Sequence, residues 1–210
     1  SGIEWCVANG ADIISMSLGG GLYSGACDFE PMAAAGNWAV DQGVVVFAAS
    51  GNSGNTSMML APSCGSKIIS VGSVSKSDSR SSFSNGGPNL DVVAPGSSIT
   101  STVPTGSCSL CSSTGFKSLS GTSMATPHAS GTAALLLEAN PSLTPAEIRT
   151  LLHNTAVDLG TSGRDNLFGY GRIDANSAFI TLKPIKNNPP IATNDSYSIK
   201  SDSVLAVAAI

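Results

Sequence analysis

Charge is the scarcest commodity in this sequence. Asp, Glu, Lys and Arg together make up 11% of the 210 residues, well below the usual quarter or so. The net charge is -4 and no basic run occurs, which argues against a nucleic-acid partner. Long apolar runs are also missing. The longest candidate, Ala129 to Ala139, already carries Glu138 and falls short of the ~20 residues that span a bilayer. There are only two histidines, His128 and His153, and neither lies among the cysteines. A lone CxxC, Cys108 and Cys111, cannot supply the four ligands of a structural zinc site. No leader is expected in this stretch either: Ser1 is not a start residue and Glu4 follows at once, so the chain is expected to begin inside a domain.

What is present is a globular share of hydrophobic residues, 41%, on a background of Gly, Ser, Ala, Thr and Asn. Such neutral, hydroxyl-rich surfaces suit secreted enzymes. Five cysteines occur, Cys6, Cys27, Cys64, Cys108 and Cys111. In a Ser/Gly-rich loop, the Cys108/Cys111 pair reads most plainly as a short disulfide.

The pattern along the chain alternates strands and helices. Residues 3–9 read as the end of a helix stopped by Gly10. The apolar run 11–18 reads as a strand breaking into Gly19-Gly20-Gly21. Residues 31–42 read as a helix opened by Pro31. The β-branched run 44–49 has the continuity of a strand covered on both faces, and it breaks at Ser50-Gly51-Asn52. Further strands are expected at 67–74, 90–93 and 99–103, then a loop over 104–115. A long helix is expected from Ser123 to Ala139. Another follows over 145–154, with Thr144 and Glu147 as a capping box, and a last one over 172–182. This order predicts an α/β fold, a parallel sheet with helices on both faces, with its chemistry beyond the carboxyl ends of the strands. After residue 182 the composition shifts. Residues 183–194 read as a Pro/Asn/Lys linker, and 195–210 as the start of a β-sandwich module.

The chemistry-bearing segment is Gly121-Thr122-Ser123-Met124-Ala125-Thr126-Pro127-His128-Ala129-Ser130-Gly131. A serine at a helix start is usually a cap. This eleven-residue string, however, resembles the nucleophile motif of the subtilisin family of serine proteases. The resemblance implies that Ser123 attacks the peptide carbonyl, at a helix N-terminus that favours negative charge. Gly121 is expected to allow a tight backbone approach. Ala48-Ala49-Ser50-Gly51-Asn52-Ser53-Gly54 resembles the family's oxyanion segment, which implies that Asn52 is the side-chain donor; on its own it is an ordinary turn. Ile14-Ser15-Met16-Ser17-Leu18-Gly19-Gly20 resembles the substrate-binding strand. This implies that Ser17, Leu18 and Gly19, with Gly51 and Thr122, hold an extended peptide. The stretches 82–96 and 169–175 resemble the family's flanking segments, so the likeness runs from about residue 3 to 181.

The same resemblance implies a Cys27–Cys64 disulfide, with Cys6 free or paired to a part of the protein not seen here. Likeness to proteinase-K-like members implies a structural Ca²⁺ at Asp91 with carbonyls of Ser66 and Ile68, an oxygen-rich set that suits the ion. A plain structural hydrogen bond accepted by Asp91 is an equal alternative. No cofactor is expected for catalysis.

A triad needs a His base and an Asp to orient it. The family's Asp-Thr/Ser-Gly and His-Gly-Thr-His motifs are both absent. His128 lies about 7.5 Å along the helix that Ser123 opens, and His153 belongs to a later helix, so neither suits the role. The expectation is therefore the C-terminal part of a secreted, monomeric serine endopeptidase, inactive without its missing half. Its substrates would be proteins or peptides. A non-catalytic peptide-binding scaffold and an adhesion protein with an accessory protease domain are the alternatives. The loop after Asn52 holds no acidic residue, and Met58, Met59 and Leu60 suggest an apolar wall. This predicts a preference for apolar or aromatic residues before the cut. The tail from Pro189 resembles cadherin-like or Ig-like bacterial repeats.

Overall fold

A computed structural model describes residues 1–182. The expected linker over 183–194 and the β-module from 195 lie outside the described residues. In chain order the elements are α1 (Gly2–Ala8), β1 (Ile13–Met16), β2 (Gly20–Tyr23), α2 (Pro31–Asp41), β3 (Val45–Ala49), β4 (Met59–Ala61), β5 (Ile69–Val74), β6 (Val92–Pro95), β7 (Ile99–Thr102), β8 (Phe116–Leu119), α3 (Thr122–Ala139), α4 (Pro145–Thr155) and α5 (Ala175–Leu182).

Four strands form the parallel sheet, in the order β1-β3-β5-β6. Its two faces are packed differently. Alternate residues Val45, Phe47, Ile69, Val71, Val92 and Ala94 meet Ala125, Ala129, Ala133 and Leu136 of α3, with Ile148 and Leu152 of α4 and Ala178 of α5. Residues of the opposite parity, Ile14, Met16, Val46 and Ala48, face Ala39 of α2 and residues of α1. The sheet is covered on both sides, which is why β3 is an unbroken buried apolar run. Small residues on α3 let it lie close against all four strands.

Two small antiparallel ribbons, β2-β4 and β7-β8, stand beside the sheet. Their strands β2, β4 and β8 are only three or four residues long and were not expected. Residues 104–115 are a loop, as read from sequence, and form the tip of the β7-β8 hairpin. Both disulfides form, Cys27–Cys64 across 37 residues and Cys108–Cys111 within the hairpin tip, and Cys6 is a free, half-buried thiol.

Candidate active site

The site lies at the carboxyl ends of the parallel strands, where β1 and β3 run out into loops and α3 begins. Ser123 is the second residue of α3. The helix carries Pro127 four residues on, and proline has no N–H to return to the Ser123 carbonyl. That carbonyl instead accepts a hydrogen bond from Ser17 Oγ at 2.8 Å. In return, Ser123 Oγ lies 3.4 Å from the Ser17 carbonyl oxygen. Ser123 is thus braced by the residue that follows β1.

Asn52 is held from the other side. Its Oδ1 accepts from Thr122 N at 2.8 Å and from Thr122 Oγ1 at 2.9 Å. Thr122 is fully buried, and its Oγ1 also accepts from Gly51 N at 3.2 Å. With Oδ1 tied down twice, the amide cannot flip without losing both bonds, and Nδ2 is the donor left free for a ligand. Gly51 sits at φ +114°, and a Cβ there would fall 2.3 Å from Asn85 Nδ2, so only glycine fits. The tight backbone approach expected at Gly121 is not found. Its φ of 163° is ordinary extended backbone, and an added Cβ would meet nothing closer than 3.6 Å. The close approach belongs to Gly96, where a Cβ would lie 2.7 Å from the Gly121 carbonyl oxygen.

Asn85 had no sequence signal and proves to be the hub of the loop that carries Asn52. It is fully buried. Its Oδ1 accepts from Ser53 N, Ser53 Oγ and Asn55 N at 2.9–3.0 Å, and its carbonyl accepts from Ser50 Oγ. The loop that presents Asn52 is shaped by a residue far along the chain, which local patterns cannot reveal.

Ser17, Leu18 and Gly19 lie past the end of β1 and are exposed along one edge of the cleft. The structure therefore brings Ser17, Gly19, Gly51, Asn52, Thr122 and Ser123 around one cleft. Of the expected apolar wall, only part survives. Met59 is 1% exposed and packs in the core with Val74, Leu90 and Val93. Leu60, on the opposite face of β4, is half-buried against the cleft.

Neither histidine serves Ser123. His128 bonds the Met124 carbonyl of its own helix through Nδ1 at 2.9 Å. His153 stacks on Tyr170 and places Nε2 2.9 Å from Asp91 Oδ1. This His–Asp pair looks like part of a triad, but Asp91 precedes β6, at the opposite end of the sheet from Ser123.

The Ca²⁺ site implied at Asp91, Ser66 and Ile68 does not fit its surroundings. Asp91 is 3% exposed. Its Oδ1 accepts from Arg149 Nε at 2.7 Å and faces His153, while Oδ2 accepts from Ser70 N and Oγ. The Ser66 carbonyl accepts from Arg149 Nη1 at 2.7 Å. The guanidinium of α4 takes the space and the oxygens a cation would need. Burial pushes the Asp91 carboxyl up, but the His153 hydrogen bond and the charge and hydrogen bond of Arg149, with help from Ser70 N–H, outweigh it and hold it below its ordinary value.

Comparison with known proteins agrees with this geometry. The profile of the subtilase family matches residues 1–171. The chain is 43% identical over 175 residues to subtilisin of Bacillus pumilus, covering 82% of this chain and 57% of that one. It is equally identical to subtilisin E of Bacillus subtilis, covering 41% of that protein. The chain thus spans about half the length of the curated relatives it matches. Among solved structures it is similar to a lanthipeptide protease (TM-score 0.72, 27% identity, covering 86% of this chain and 64% of that one). It is also similar to the prenylagaramide maturation protease PagA (TM-score 0.72, 29% identity, 86% and 65%). The parallel sheet, the serine at the head of α3 and these likenesses together establish that the chain belongs to the subtilase family of peptidases.

Proposed function

We propose that this chain is the nucleophile-bearing part of a secreted serine endopeptidase that cuts peptide bonds through an acyl-enzyme on Ser123. A histidine and an aspartate from elsewhere in the full-length protein complete the site. Ser123 Oγ gives its proton to that histidine and bonds the carbonyl carbon. The resulting oxyanion is held by Asn52 Nδ2 and the Ser123 N–H. The leaving amine then takes the proton, and water releases the acyl group by the reverse steps. The observation that carries the reading is the double clamp of Thr122 on Asn52 Oδ1, which ties Asn52 to the residue before Ser123 and leaves its amide donor uncommitted. Two disulfides support an oxidising, extracellular setting.

The test is labelling of the full-length protein with a fluorophosphonate, followed by peptide mapping. The expected adduct is on Ser123 and is absent in Ser123→Ala. Labelling elsewhere, or none in a folded protein, refutes the reading.

A further inference from the structure

Resting on the peptidase reading above, we propose that Leu60 sets the specificity of the cleft by closing its floor. The protease then takes small residues, alanine above all, on the acyl side of the cut, and discriminates against aromatic ones.

The place of that side chain follows from the site. The scissile carbon must sit on Ser123 Oγ with its oxygen toward Asn52 Nδ2. The Ser17 carbonyl, 3.4 Å from Ser123 Oγ, is then in reach of the N–H of the same substrate residue. Held at both points, the residue's Cβ points between two chain segments, Ser17-Leu18-Gly19 and Ser50-Gly51-Asn52. Leu60 fills the space between them. A Cβ built on Gly19 would lie 3.0 Å from Leu60 Cβ and 3.4 Å from its Cδ1. One built on Gly51 would lie 2.7 Å from Leu60 Cγ and 3.0 Å from its Cδ1. One leucine therefore lies against both walls, each of which is a glycine.

Leu60 is also fixed in place. Its N–H donates to the Ser50 carbonyl at 3.0 Å, tying it to the segment that carries Asn52. Its own carbonyl accepts from Ser63 Oγ at 2.7 Å. On either side, Met59 and Ala61 are buried and paired with β2, and Cys64 is bonded to Cys27. The backbone cannot retreat, so an aromatic ring would have to displace the leucine side chain itself. No charged residue occurs among the residues that frame this space, so basic side chains gain nothing there. The aromatic preference suggested by an apolar Met58-Met59-Leu60 wall is thereby reversed.

The experiment uses the full-length protease and a peptide series identical except for Ala, Leu or Phe before the cut. Apolar pockets distinguish one methylene by about 10–200-fold. The expected wild-type ratio of kcat/KM for Ala over Phe is therefore at least ~10². Leu60→Gly should raise the Phe rate and erase the ratio, with Leu60→Ala falling between and serving if the glycine variant folds poorly. A wild type that prefers Phe, or a Leu60→Ala variant that folds yet keeps the wild-type ratio, overturns the assignment while leaving the peptidase reading intact. No turnover of any peptide sinks the peptidase reading, and the Leu60 assignment with it.

Discussion

Replacing Arg149 by methionine tests how the far end of the sheet is held. Methionine keeps much of the apolar stem but removes the guanidinium from Asp91 and from the Ser66 carbonyl. Removing one partner of a buried ion pair costs about 3–5 kcal/mol, because the remaining charge is stranded. Asp91 keeps two donors from Ser70 and one contact to His153. Arg149 itself is 29% exposed at the pair, which lets water soften the loss. Both facts put the expected cost at the lower end, about 3 kcal/mol. For a domain of this size each kcal/mol moves Tm by about 2–4 °C, so the melt should fall by about 6–12 °C. The assay is calorimetry of the full-length protein, wild type against variant, with added Ca²⁺ and with a chelator. Asp91→Asn is run beside them. A fall of less than about 2 °C would refute the pair's role. So would a calcium-dependent stabilisation of the wild type that Asp91→Asn abolishes, since that would make Asp91 a metal ligand.

Three further outcomes are expected, besides the substrate preference tied to Leu60. Asn52→Leu should lower kcat with little change in KM; in subtilisin itself the loss of such a donor costs about 10²–10³ in kcat, and that magnitude is borrowed from it. Steady-state kinetics checks this, and an unchanged kcat would count against Asn52 as oxyanion donor. Replacing Cys27 and Cys64 by alanine opens a loop of 37 residues and should cost about 4 kcal/mol, against roughly 2 for the short Cys108–Cys111 bridge; urea unfolding distinguishes them. Because the folded Asp91 carboxyl lies below its ordinary value, its contribution is fully present above about pH 4 and fades as pH falls through the folded value. Stability measured down that limb should fall less steeply in Asp91→Asn.

The sheet and the main helices were readable because each rests on a local pattern. Val44 to Ala49 is apolar without a break because both faces of β3 are covered, and the Thr144/Glu147 box forms as its spacing requires. Ser123 and Asn52 stand in long motifs, and the structure brings the two motifs together through Thr122. The rest depends on partners distant in sequence. β4 is three residues long and exists only because β2 pairs with it, so Leu60 could be read as an apolar wall but not as the plug between Gly19 and Gly51. Arg149 reads as an exposed helical arginine until Asp91 is brought under it. Asn85 sits in a Gly-rich stretch that looks like a turn, and only the fold turns it inward.

One helix carries both Ser123, the proposed nucleophile, and the centre of the core. Eight residues of α3 are buried, and it lies against every strand of the parallel sheet. Such a molecule cannot loosen Ser123 without loosening its interior. If the chain cuts peptides as proposed, the give needed to admit a substrate comes from the exposed β7-β8 hairpin, whose strands hold no buried residue. Sequence drift has room at that hairpin, whereas drift in α3 is answerable to folding first.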